Sequence, residues 1–200
     1  MERRDLEGAA ASYWNLRGVL SVPAGFLFIL AALGNWQVGP LRHDWVFLAG
    51  VLAIGGAYLL INRYYQEHYG RMSPSPRQQL RATAALVLGV ALVFGGSLLL
   101  RSRAGWSLDL PVNPIAVTFS ILMLAGYAIG GVLRAHHVAV WGTLLVAGAL
   151  PVWTGADPSN VGLVLCGAAV IVCGVLDHLA FVRTFGPPEL PQLGNGNARA

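Results

Sequence analysis

The sequence is poor in charge. Asp, Glu, Lys and Arg make up 11% of its 200 residues, where soluble domains carry about 25%. Lysine is absent, so all 13 basic residues are Arg. Hydrophobic residues reach 56%, above the roughly 45–50% of soluble domains, and mean hydropathy is +0.60. Such a chain is matched to a bilayer rather than to water. The pI of 9.5 does not point to nucleic acid. The Arg residues stand mostly beside apolar runs, where they orient helices instead of gripping phosphates.

Other absences narrow the chemistry. The nine acids fall at termini, in loops or at the ends of apolar runs. Ion-coupled transport usually needs a carboxylate at depth, so this argues against it. There is no Walker A motif, no GxGxxG and no catalytic Cys-His arrangement. Ser97 and Ser120 lie within apolar runs with no His level with them, which argues against proteolysis. Haem would need His on facing helices, and the runs offer none. No cofactor or metal site is therefore expected, and no enzyme. Cys166 and Cys173 are the only cysteines. On one helix they stand about 10.5 Å apart along the axis, beyond disulfide reach, and read as apolar fillers.

Six apolar runs are present: about Gly18–Leu33, Trp45–Ile61, Ala82–Leu100, Pro114–Leu133, Val138–Trp153 and Val161–Leu176. A membrane-crossing helix needs about 20 residues, so six take roughly 120. The remaining residues cannot form an ATPase, kinase or DNA-binding domain of ordinary size. The expected fold is all-α: one membrane domain over residues 1–200, a polytopic bundle of six transmembrane helices. Met1–Arg17, with Tyr13 and Trp14, reads as a short interfacial helix. The tail after Phe185 is rich in Pro, Gly and Asn and is expected to be disordered. Ten Arg fall on one side of this topology and three on the other. By the positive-inside rule both termini are cytoplasmic.

The loop between the second and third runs is the most specified segment. Helix two is expected to continue through Arg63, Tyr64, Tyr65, His68 and Tyr69, with Gly70 as its stop. Ser75, Pro76 and Gln78 then read as N-cap, N1 and N3 of helix three, whose start carries Arg77 and Arg81. Together with Arg71 these residues form an aromatic-basic anchor, or a docking surface for a cytoplasmic partner or anionic lipid. Gly126 and Gly130 give the fourth span a GxxxG face, suited to helix contacts within the chain or in a homo-oligomer. Trp36…Pro40, Trp106…Pro111 and Trp153…Pro158 hint at three repeated hairpins. Arg134, His136, His137, Asp177 and His178 share one side as an interfacial polar cluster, with zinc-type ligands but no recognised metal spacing.

Tyr13-Trp14, the Tyr64-Tyr65…His68-Tyr69-Gly70-Arg71 stretch and Leu176-Asp177-His178-Leu179 give the chain a look similar to small six-span membrane proteins of high-GC Gram-positive bacteria. That resemblance implies a multi-pass protein of the bacterial cytoplasmic membrane. Such proteins are often encoded beside a small winged-helix regulator, which implies a docking role for the cytoplasmic face. It transfers no catalytic residues. The leading expectation is a non-enzymatic sensor or scaffold engaging a cytoplasmic partner. The alternative is a small permease or lipid-handling protein. An enzyme acting on lipid through His136, His137, Asp177 and His178 is the least favoured.

Overall fold

The computed structural model describes residues 17–69, 80, 112–150 and 157–186. A 3-10 turn, Gly18–Ser21, leads into helix α1, Val22–Asn35. A second such turn, Gly39–Arg42, precedes α2, Asp44–Tyr69. Then follow α3, Pro114–Ile129, α4, Ala135–Ala149, and α5, Pro158–Phe185. There is no strand among the described residues. Three stretches are long and apolar enough to cross a membrane: Gly18–Asn35, Asp44–Tyr69 and Pro158–Thr184. The expected third span, 82–100, lies outside the described residues, as do the interfacial helix and the C-terminal tail.

The helix ends follow local chemistry more than hydropathy. α2 continues to Tyr69, as its sequence predicts. The fourth run was expected to reach Leu133, yet α3 stops at Ile129. Gly131 takes φ +68. Its N–H donates to the Ala128 carbonyl, and the Val132 N–H donates to that of Tyr127. This is a Schellman stop, and the left-handed residue it needs is the glycine. α4 then starts at Ala135, earlier than the expected Val138, from an extended Arg134. It ends at Ala149 rather than Trp153, with Leu150 extended because Pro151 follows it.

Glycine pairs set the main helix crossing. α1 and α5 run antiparallel, and a Cβ on Gly25 would lie 2.7 Å from the Gly167 carbonyl oxygen. A Cβ on Gly167 would lie 2.6 Å from that of Gly25. One heptad along, Gly18 and Gly174 face each other just as closely. Small residues let backbones approach where lipid supplies no hydrophobic drive between helices. α3 and α4 form a hairpin against α5. Ala116, Trp141, Leu144, Cys166, Ala169, Val170 and Cys173 make the common core. Among the described residues α2 stands at the periphery, with none of its apolar window buried.

The end of the bundle opposite Gly18 is tied by amides. Asn113 caps α3, its Oδ1 accepting from the Ala116 N–H at 3.1 Å. Its Nδ2 donates to the Pro158 carbonyl at 2.7 Å, and its backbone N–H donates to that of Gly148 at 2.7 Å. One fully buried side chain thus joins α3 to α5, and its backbone joins them to α4. Asn35 Nδ2 donates to Asn160 Oδ1 at 2.8 Å, linking α1 to the start of α5.

Candidate functional site

The polar groups at the Gly18 end form two clusters on different faces of α5. The first is centred on Asp177, whose side chain is 5% exposed. His136 and His137 stand in the first turn of α4, which Arg134 opens. His136 Nε2 lies 2.8 Å and His137 Nε2 2.9 Å from the same oxygen, Asp177 Oδ1. The other oxygen, Oδ2, accepts from the Cys173 thiol at 3.8 Å, one turn earlier on α5. Tyr127 of α3 stacks on the His137 ring with centroids 3.9 Å apart. The crossing with α1 passes beside this residue, and a Cβ on Gly18 would overlap that of Asp177.

Hydrogen-bond directions fix one tautomer. The Arg134 backbone N–H donates to His137 Nδ1 at 3.2 Å. His137 therefore carries its proton on Nε2 and donates to Asp177. His136 is the outer member, with its side chain 22% exposed. His136, His137 and Asp177 offer ligand atoms all within 4.8 Å of one another, so this triad could hold a metal ion. Binding through His137 Nε2 moves the ring proton to Nδ1 and gives up both the bond from Arg134 and the bond to Asp177. A neutral hydrogen bond is worth about 0.5–1.5 kcal/mol, against about 10–16 kcal/mol for a structural zinc. That loss does not bar a metal.

The second cluster takes His178, which the sequence grouped with the first. Successive residues on a helix turn by about 100°, so His178 points away from Asp177. Its Nδ1 lies 2.7 Å from the Tyr65 hydroxyl of α2. Tyr65 is 1% exposed, with Phe181 edge-on at 5.5 Å. Arg17 lies 5.0 Å over the Tyr65 ring and donates to Asn62 Oδ1 at 2.7 Å. Tyr69 also meets Phe181, at 4.7 Å.

The expected docking segment is thereby divided. Tyr65 faces inward and Tyr69 is half-buried. Arg63, Tyr64 and Glu67 are exposed. Arg63 Nε pairs with Glu67 at 2.6 Å, and the half-buried His68 ring lies 4.4 Å from that of Tyr64. Arg71, Arg77 and Arg81 lie outside the described residues. An open groove of about 280 Å³ runs beside this segment, lined by Val19, Leu60, Ile61, Tyr64, Tyr65 and His178.

Gly126 and Gly130 do not meet another helix among the described residues. A Cβ at Gly126 would meet nothing within 4 Å, and at Gly130 only its own helix end. The glycines that meet another glycine's backbone across helices are Gly18, Gly25, Gly167 and Gly174. Their heptad spacing was visible in the sequence, but on two runs far apart in the chain. Cys173 and Tyr127, the neighbours of the Asp177 triad, carried no signal beyond their apolar runs. The chain matches no family model, no curated protein and no solved structure.

Proposed function

We propose that this is a six-span protein of the bacterial cytoplasmic membrane, with both termini inside. It acts without catalysis, as a sensor or scaffold holding a cytoplasmic protein partner. The segment from Arg63 to Arg81 is the docking surface. The observation that carries this reading is the two-sided end of α2. Its inner face is pinned by Tyr65 on His178 and Phe181, while its outer face presents Arg63, Tyr64 and Glu67. Ordered, rigidly supported polar groups lose less entropy when a partner binds. The Arg asymmetry supports placing this end in the cytoplasm.

A photo-crosslinking residue at position 64, in the full chain in its native membrane, tests the reading. One soluble protein is expected to crosslink there, and to be lost from the Tyr64→Ala/His68→Ala chain on gentle extraction. Crosslinks to lipid alone contradict it. The open apolar groove beside His178 favours a second reading, lipid handling. In that case a defined lipid co-purifies, and Leu60→Trp reduces its amount.

A further inference from the structure

We propose that His136, His137 and Asp177 form a binding site for one divalent transition-metal ion of the zinc class. The site goes beyond the docking reading and stands on its own geometry. Two imidazole nitrogens converge on one carboxylate oxygen at 2.8 and 2.9 Å. Ligands around a tetrahedral zinc are about 3.3 Å apart, given metal–ligand bonds of about 2.0–2.2 Å. Admitting the ion opens each nitrogen–oxygen contact by about half an ångström and draws the two imidazole nitrogens, now within 4.8 Å of each other, into the same shell.

The donor set selects the metal. Two imidazoles with one carboxylate suit zinc and its neighbours, whereas calcium and magnesium take oxygen. The surroundings hold the donors in place. Tyr127 fixes the plane of His137, and Cys173 occupies Oδ2, leaving Oδ1 turned to the histidines. Three protein ligands leave one coordination position for water, on the side where His136 is exposed. The ion would clamp the first turn of α4 to α5. The Cβ of Asp177 lies against Gly18, so the clamp also reaches the crossing with α1. The sequence lacked the usual spacing because two ligands are adjacent on one helix and the third is about 40 residues away on another.

The test uses the full chain in lipid nanodiscs, made without a polyhistidine tag and stripped with chelator. Zinc is added by equilibrium dialysis and the bound metal is measured. Cobalt(II) is added to a second sample as a spectroscopic probe. The expected result is one zinc per chain and a cobalt absorption band of tetrahedral type. His136→Ala and Asp177→Asn should weaken zinc binding by about 100-fold or more, since even outer-shell partners are worth 10–100-fold. His178→Ala and His68→Ala should retain it. Asp177 is buried and its variant could fail to fold. His136→Ala at the exposed edge and the cobalt spectrum of the unaltered chain decide the matter without it. Zinc held equally by the unaltered chain and His136→Ala, or by neither, overturns the site.

Discussion

Tyr65 and His178 join α2 to α5 through one bond between a hydroxyl and an imidazole. Tyr65→Phe keeps the ring against Phe181 and removes only that bond. The expected loss is about 1–2 kcal/mol of stability, read by denaturant titration in nanodiscs. His178→Ala should cost a similar amount, and the double variant little more than either alone, because both remove one shared interaction. Strictly additive losses would show that the bond contributes nothing. At this scale the sequence was partly legible. Arg134, His136, His137 and Asp177 each end or begin an apolar run on the same side, and the structure brings both imidazoles to Asp177 and the Arg134 backbone N–H to His137. His178 was misplaced because its neighbour in sequence is not its neighbour on a helix. Tyr65 was read as surface because a polar, aromatic loop flank resembles an interfacial belt. Only the location of Phe181 shows that this face turns inward.

Among the helices, the same substitution separates two kinds of glycine. At Gly167 an added methyl meets the Gly25 carbonyl oxygen at 2.6 Å. Backbone cannot move aside as a side chain can. Gly167→Ala should therefore destabilise by about 1–3 kcal/mol, outweighing the gain of up to about 1 kcal/mol in helix propensity. At Gly126 the methyl meets nothing among the described residues, so Gly126→Ala should be neutral or stabilising by up to about 1 kcal/mol. Unfolding of both variants in the same bilayer checks the contrast, and equal effects would deny the glycine crossing. The existence of the helices was readable from apolar runs of the right length. Their ends were less so. Gly130-Gly131 sits inside an apolar stretch, so hydropathy runs on where the backbone turns. Asn113-Pro114 and Asp157-Pro158 are cap-and-proline pairs that mark the true starts of α3 and α5.

At the level of the whole molecule, three helical stretches among the described residues have membrane length, while α3 and α4 are 16 and 15 residues long. A 16-residue helix rises about 24 Å, short of the roughly 30 Å hydrocarbon core. The proposed six-span arrangement requires the α3–α4 pair to draw on its flanking residues or to thin the bilayer locally. The topology has its own check. Cys166 and Cys173 are buried, so a cysteine placed at the surface reports with little background. Glu67→Cys should react with a membrane-impermeant maleimide only from the cytoplasmic side, and Val38→Cys only from the outside. Labelling of both from one side would remove α2 as a span. Composition made the membrane legible at once. The proposed docking face is not written in it, because it depends on which residues are left uncovered once α2 has turned Tyr65 inward.

The most direct measurement is mass spectrometry of the complex lifted from its native membrane with the surrounding lipid intact. The account predicts a soluble protein bound in fixed stoichiometry, retained by the unaltered chain and lost from the Tyr64→Ala/His68→Ala chain. The chain bound to lipid alone, with no protein at any stoichiometry, would contradict it.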